Sequence, residues 1–348
     1  MRFRLLMLLC LPVLLGACAK NDRPVQLDLV GASTLTSGNK TVTANDTLTT
    51  RIYAVGNDVA LQRLRVVVSY SPGLSPINYP TPTASFDPKN APASQDIVYL
   101  DSLINPVYVS TQQSPPAGGE YLFNNSFVAR ATSGTEQWQY TITDKQSQSA
   151  SRALRLTVRK PDSAAVYHSY TALLRPVPRN RREADTVALR ATRRVYLNLR
   201  TGLQLPKYAV INNEATVQGN QLLVDLIATS ANGNSVSLSA PADLSTIKMN
   251  TQQWPNANRN ATVLRATRLN ETDFANITTV AGINNAFTAS TAFTNQYSTG
   301  VLAKNQVVAF QVTVTENGTT QTHTGLLLVS NLVLGTAPIL TCSVKVTK

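Results

Sequence analysis

Apolar and polar positions alternate with a period of two along much of the chain, which is typical of strands that bury one face. One such stretch buries four alternating residues, Leu64, Val66, Val68 and Tyr70. Another, 137–158, alternates on both sides of a polar segment and predicts a hairpin whose first strand places Trp138 in a core. The pattern therefore predicts that residues 31–160 consist of strands.

The hairpin resembles the closing hairpin of bacterial immunoglobulin-like and polycystic-kidney-type domains. Those domains end with a Tyr-x-Ile-x-Asp strand, a loop and an apolar last strand, and here Tyr140, Ile142 and Asp144 stand in that order. The resemblance implies an Ig-like β-sandwich over 31–160 that serves as a spacer or adhesion module. The cysteine pair of antibody domains is missing from this sequence.

The second region, 163–335, combines strand patterns with a short helical pattern. Strand alternation at 308–314 leads into Asn317-Gly318, the dipeptide that most favours a two-residue hairpin turn. Between 243 and 294, four apolar residues approximate one helical face: Phe274, Ile277, Ile283 and Phe287. We predict a mainly β chain in which an Ig-like β-sandwich is followed by an α+β domain with an antiparallel sheet and a short helical insert. Residues 336–348 are predicted to be a C-terminal tail or an edge strand.

The order of motifs in 190–330 resembles a recurrent domain in uncharacterised surface lipoproteins of glycan-utilising bacteria. The motifs are the Thr201-Gly202 turn, Val224-Asp225-Leu226-Ile227, Ser239-Ala240-Pro241, Trp254 followed by Asn260-Ala261-Thr262, and the Asn317-Gly318 hairpin. This resemblance implies a surface lipoprotein and carries no reaction with it.

The amino terminus has the pattern of an export signal. Arg2 and Arg4 precede an apolar run at 5–15. That run is too short to span a bilayer, which takes about 20 residues, and its length fits the apolar part of a signal peptide.

The residues after this run, Leu15-Gly16-Ala17-Cys18, resemble the lipobox of bacterial lipoproteins. The resemblance implies that residues 1–17 are a signal peptide cut between Ala17 and Cys18, and that the Cys18 thiol carries a diacylglyceryl group inserted in a membrane. Residues 18–30 then form a tether. In bacterial lipoproteins, an aspartate directly after the lipidated cysteine marks retention in the inner membrane. Ala19 stands at that position here, which implies the outer membrane, on its cell-surface or periplasmic side. The alternative is an ordinary signal peptide in which Cys18 is incidental.

The chain is basic, with a formal net charge of +12 and 14% charged residues. A basic protein favours acidic partners, namely nucleic acid, phosphorylated lipids or anionic glycans. Because an exported protein rarely meets nucleic acid, we expect no nucleic-acid partner and favour lipopolysaccharide, an anionic glycan or an envelope protein. The alternative is that the charge serves solubility alone.

Residues suited to catalysis or metal binding are sparse. The histidines are His168 and His323, and we predict His323 on the surface. Glycosidases need two facing carboxylates, and no acidic pair has a distinctive context. Asp225, in an apolar strand, needs a buried partner. Cys342 is the single cysteine beyond Cys18, so no disulfide forms within the mature chain. We predict no enzyme, no cofactor and no metal site.

Two features are candidates for ligand binding. The first is a set of arginines whose planar guanidinium groups suit phosphates and carboxylates: Arg175, Arg179, Arg181, Arg182, Arg193 and Arg194. The alternative is a solvated segment between domains. The second is Trp254, which stands in a polar stretch and would be a stacking platform for sugars if exposed. Its alternative, to which we give more weight, is packing against the helical insert.

The sequence therefore predicts a membrane-anchored envelope lipoprotein with a non-catalytic role in binding, adhesion or scaffolding at the cell surface. One alternative is an enzyme that acts on polysaccharides, or an accessory glycan-binding protein. Another is a purely structural stalk. Facing carboxylates in a cleft would favour the enzyme, and the absence of a basic or aromatic concavity would favour the stalk.

Overall fold

The structure is a computed structural model. It describes residues 23–77, 91–108, 116–159, 165–180, 189–190, 192–212, 214–247, 249–316 and 318–348. The predicted signal peptide and the lipobox with Ala17 and Cys18 lie outside the described residues, as do Arg181 and Arg182. Among the described residues, no helix is both long and apolar enough to cross a membrane.

Strands form most of the regular structure. The first eight are β1 Val25–Leu29, β2 Lys40–Thr43, β3 Thr47–Gly56, β4 Leu61–Ser71, β5 Gln95–Leu103, β6 Glu120–Val128, β7 Gly134–Asp144 and β8 Ser149–Arg159. The next eight are β9 Tyr167–Leu174, β10 Arg194–Leu197, β11 Gln204–Pro206, β12 Leu226–Thr229, β13 Ser237–Ser239, β14 Val263–Ala266, β15 Thr291–Ala292 and β16 Ser298–Val301. The last three are β17 Val307–Glu316, β18 Thr319–Val333 and β19 Ile339–Thr347. Among the described residues, the α-helices with defined bounds are α1 Ala215–Gln218, α2 Glu271–Asn276 and α3 Val280–Ala289.

The first region is a sandwich of two sheets. One has the order β1-β3-β6 and the other β2-β8-β7-β4-β5, in which β2 runs parallel to β8. The second of these sheets is built on the β7–β8 hairpin, so the region is a β-sandwich. The rings of Phe127 and Trp138 stack across the sheets at 3.9 Å between centroids. The predicted core position of Trp138 and the predicted β7–β8 hairpin are confirmed.

The second region contains two further sheets, of order β11-β10-β12-β13-β16 and β15-β14-β17-β18-β19-β9. Their facing residues share one core, with Leu226 and Leu238 from the five-stranded sheet against Phe310 and Val344 from the six-stranded sheet. The chain is thus mainly β with few helices, as predicted, although this region has two packed sheets rather than one.

The helical insert covers the outer face of the six-stranded sheet. Phe274 of α2 and Ile283 of α3 pack on Val307 and Leu328. Asn270 begins α2 with a capping box, because its side chain accepts from the Asp273 N–H while the Asp273 carboxylate accepts from the Asn270 N–H. The predicted helical pattern in 243–294 is therefore confirmed, as two short helices.

Two predicted boundaries are wrong. Residues 336–348 are neither a tail nor an edge strand, because β19 lies between β18 and β9. Both of its edges are paired, and its residues Leu340, Cys342 and Val344 lie in the core. The predicted tether at 18–30 contains β1, which pairs with β3 because Val25 and Leu27 are buried in the first sandwich.

The two sandwiches are joined by an extensive interface. Tyr208 packs its ring between Tyr99 and Phe123 and donates a hydrogen bond to Asn125 at 2.9 Å. Arg63 of β4 pairs with Asp101 and, at 2.8 Å, with Glu214 of the second region. Apolar residues of both regions belong to one buried cluster, so the regions are held as a unit.

A buried lysine holds the helical insert on the sheet. Lys345 Nζ donates to the carbonyl oxygens of Phe274, Ala275 and Ile277, which close α2, at 2.6, 3.2 and 2.8 Å. These carbonyls have no partner within the helix, and a cation at a helix carboxyl end is favourable. Burial lowers the pKa of Lys345.

We expect Lys345→Met to lower the free energy of unfolding by about 2–4 kcal/mol, because methionine fills the space but leaves three carbonyls unsatisfied. Urea denaturation measures this effect. Lys304→Met, at an exposed lysine, is the matched control and should change stability little. Equal effects of the two substitutions would show that the Lys345 contacts do not stabilise the fold.

Candidate functional site

The described residues form a basic pocket of about 540 Å³. It lies on the outer face of the five-stranded sheet of the second region, which contains β10 and β12. Three cationic side chains line it: Arg179, Arg190 and Lys207. Its apolar residues include Val195, Tyr196, Ile211, Ile227, Ile247, Met249 and Trp254. No acidic side chain lines the pocket within the described parts of the chain. The pocket thus combines an apolar floor with three cationic side chains.

Strand alternation builds the floor. On β10 and β12, Leu197 and Leu226 point into the core of the second sandwich. Their neighbours Tyr196 and Ile227, which pair across the two strands, therefore face the opposite side and line the basic pocket.

The 243–259 segment forms one wall and is fixed by Asp243. Burial alone would raise the pKa of Asp243, but hydrogen bonds from Ser245, Thr246 and Asn295 lower it to about 2. The Asp243 carboxylate accepts from the backbone N–H of Ser245 and Thr246, each at 3.1 Å, and from the Asn295 amide at 2.9 Å. This wall is therefore ordered by hydrogen bonds to Oδ1 of an ionised aspartate, while its buried Oδ2 has no hydrogen-bond partner among the described residues.

Trp254 is not a stacking platform. Its side chain is 0% exposed, and its Nε1–H donates to the Asn258 carbonyl at 2.9 Å. Arg259 donates from Nε and Nη2 to the Trp254 carbonyl, which fixes the same turn. The predicted sugar platform is wrong because the turn at 256–258 directs a carbonyl onto the indole, and the ring packs near Tyr196 instead.

The cationic side chains reach the pocket from three segments. Exposed Arg179 is placed by its N–H, which donates to the Ser230 carbonyl, and its Nη1 donates to the Thr246 carbonyl at 3.0 Å. Arg190 Nη2 donates to the carbonyls of Pro178 and Arg179, at 2.8 and 3.1 Å. Lys207 is exposed and begins the short 3-10 helix after β11. The remaining N–H groups of Arg179 and Lys207 are available to a ligand.

The predicted arginine set is divided by the fold. Among the described members of that set, Arg179 alone lines the basic pocket, while Arg175, Arg193 and Arg194 lie where β9 ends and β10 begins. Lys207 was not predicted. It lies far from the arginines along the chain, and only the pairing of β10 with β11 brings it to the pocket.

A second concavity, the polar cleft, measures about 720 Å³ and lies between the two sandwiches. Asp225 lies at its base and is buried. Its Oδ2 accepts from the Leu199 N–H at 2.8 Å and its Oδ1 from the Asn260 amide at 3.1 Å. Burial raises the pKa of Asp225 to about 7, against these two donors and the charge of Arg200. The predicted need for a partner is confirmed, and Asp225 is the one carboxyl among the described residues that line this cleft.

Other reactive side chains are buried and dispersed. His323 is buried, with Nδ1 at 3.1 Å from the Thr347 carbonyl, so its predicted surface position is wrong. Burial raises the pKa of the Cys342 thiol in the core of the second sandwich. Across the described ranges, no three or more His, Cys, Asp or Glu residues are grouped to hold a metal ion.

The chain matches no family model and no curated protein. Among solved structures, it is similar to a DUF4466 family protein from Parabacteroides merdae, with 11% sequence identity over 93% of this chain and 98% of that chain and a TM-score of 0.30. It is also similar to Spo0M, a sporulation control protein from Bacillus subtilis, with 8% identity over 39% of this chain and 50% of that chain and a TM-score of 0.22. Neither likeness adds an argument about function.

Proposed function

We propose that this protein is a bacterial envelope lipoprotein, anchored in the outer membrane through Cys18, that captures an anionic glycan without catalysis. The anchor is supported by the lipobox-like residues 15–18 and the export pattern before them. β1 begins at Val25, close to Cys18 in sequence, so the first sandwich stands next to the membrane and the second presents the ligand site.

The observation that carries the ligand class is the basic pocket. Its described lining holds three cationic side chains and no acidic one, so the pocket favours an anionic group. Guanidinium groups hold carboxylates and phosphates through paired N–H donors. Apolar floors such as the one under these cations suit the C–H faces of a sugar ring. An acidic sugar satisfies both requirements.

The first experiment is a binding screen of the purified protein against acidic glycans, neutral glycans and lipopolysaccharide. We expect acidic glycans or phosphorylated lipopolysaccharide to bind and neutral glycans to fail. Because much of the attraction is between charges near the surface, affinity should fall steeply when the NaCl concentration is raised about tenfold. Binding confined to neutral glycans would overturn the proposal.

Substitution of the pocket cations tests the location of the site. We expect the double variant Arg179→Gln, Lys207→Gln to weaken binding of the acidic ligand by roughly tenfold or more, because it removes two charges that face the pocket. Isothermal titration measures the change. The control, Arg65→Gln with Lys304→Gln, removes the same charges at exposed positions elsewhere.

The control keeps the net charge of the test variant, so general electrostatic attraction is equal in both. An equal loss of affinity in the two variants would show that the ligand senses net charge alone and would reject the basic pocket as its site.

A further inference from the structure

Three arginines that do not line the basic pocket meet at the junction of the two sandwiches. We call Arg175, Arg193 and Arg194 the junction triad. The N–H of Arg175, which follows β9, donates to the carbonyl of Arg194, which begins β10, at 2.9 Å. The Nη1 of Arg194 lies 3.4 Å from the Ser126 hydroxyl of β6, in the first sandwich. The triad therefore bridges both regions of the fold.

The junction triad lies in a positively charged environment. Within the described residues, no guanidinium group of the triad forms an ion pair, and the ion pairs that are present belong to Arg63 and Arg152. The side chain of Arg194 is only 4% exposed. Burial, together with the neighbouring charge of Arg175, lowers the pKa of Arg193 and of Arg194. Arg194 is thus a buried cation with two partly exposed arginines close enough to lower its pKa.

Several polar atoms at this place have unused hydrogen-bonding capacity. The buried Nε atoms of Arg175 and Arg194 have no hydrogen-bond partner among the described residues, and neither does the buried Tyr99 hydroxyl of β5. Tyr99 is close enough to Arg194 for each charge to shift the pKa of the other. A buried cation without a partner is strongly unfavourable, so an ion that accepts from these donors would stabilise the junction.

We propose that the junction triad binds a phosphate group. Three guanidinium groups offer more N–H donors than the two oxygens of a carboxylate accept, whereas a phosphate has more acceptor oxygens and carries up to two negative charges. This site is distinct from the basic pocket, since the two share no residue. It is occupied by a free phosphate ion or by the phosphate of a monoester.

Thermal unfolding of the purified protein tests the proposal, with inorganic phosphate or glycerol phosphate compared with chloride at equal ionic strength. We expect a rise in Tm of roughly 2–5 °C at saturating phosphate. A rise with inorganic phosphate alone assigns the free ion, and a rise with both probes assigns the phosphate group of a larger molecule. The same Tm in all three salts would overturn the proposal.

Two double variants locate the effect. Arg175→Gln with Arg193→Gln changes two partly exposed side chains and leaves buried Arg194 in place, so we expect the fold to be retained and the rise caused by phosphate to be abolished. Arg179→Gln with Lys207→Gln, in the basic pocket, should keep the rise. If the pocket variant loses the rise and the junction variant keeps it, phosphate binds in the pocket and the junction site is rejected.

Discussion

We expect Cys18→Ala to abolish lipid attachment and to move the protein from the membrane fraction to the soluble fraction. The thioether needs the cysteine sulfur, and stable anchoring needs two or more acyl chains, so removal of the thiol leaves nothing that holds the chain on a bilayer. Metabolic labelling with a clickable fatty acid, followed by fractionation, measures both effects in the expressing bacterium.

The other cysteines provide the controls. Cys10→Ala lies in the predicted signal peptide and Cys342→Ala in the core of the second sandwich, and both should leave the lipid label and the membrane fraction unchanged. If the wild type carries no label, or if Cys18→Ala stays in the membrane, the lipobox interpretation is wrong.

We expect the free energy of unfolding to decrease as pH rises from about 5 to about 7. Burial raises the pKa of Glu136 from 4.5 to about 7, although the Trp138 indole N–H, the Arg130 backbone N–H and the Arg130 charge favour its ionised form. Burial likewise raises the pKa of Asp225 from 3.8 to about 7. At a pH between the unfolded-state and folded-state pKa values of these carboxyl groups, the folded protein binds more protons than the unfolded chain.

The sign follows from this difference. Stability from a raised carboxyl pKa is fully present below the unfolded value and is lost as pH rises through the folded value, with a slope of at most about 1.4 kcal/mol per pH unit for each group. Urea denaturation at several pH values measures the slope. In the double variant Glu136→Gln, Asp225→Asn, the free energy of unfolding should depend less on pH over the same range, whatever its absolute value. An unchanged slope would contradict this assignment.

Local alternation made parts of the fold predictable from sequence. In β4, Leu64, Val66 and Val68 are buried because every second residue of a strand faces the same side. The β7–β8 hairpin was predictable for the same reason, and its long apolar strands are adjacent in sequence. The two short helices followed from a change of period that is also local.

Pairing between distant strands was not predictable in this way. β19 pairs with β18, which precedes it in sequence, and also with β9, which is far from it in sequence. A terminal segment with this pattern looks the same in sequence whether it lies at an edge or in the middle of a sheet.

The candidate site shows the same limit. The arginine-rich stretch was recognisable, but its division into Arg179 at the basic pocket and Arg194 at the junction depends on where β9 ends and β10 begins. Lys207 joins Arg179 only through the folding of the five-stranded sheet. Trp254 stands among polar residues in sequence, yet it is buried and its indole N–H donates to the Asn258 carbonyl.

The most direct test of an anchored protein with an anionic-ligand site uses living cells. Cells that express the wild type or the Arg179→Gln, Lys207→Gln variant at equal surface levels are incubated with the fluorescently labelled acidic glycan identified by the binding screen. We predict that wild-type cells retain the glycan and that variant cells lose most of it, while cells with Arg65→Gln and Lys304→Gln behave as wild type. Equal retention by all three would contradict the assignment of ligand capture to the basic pocket.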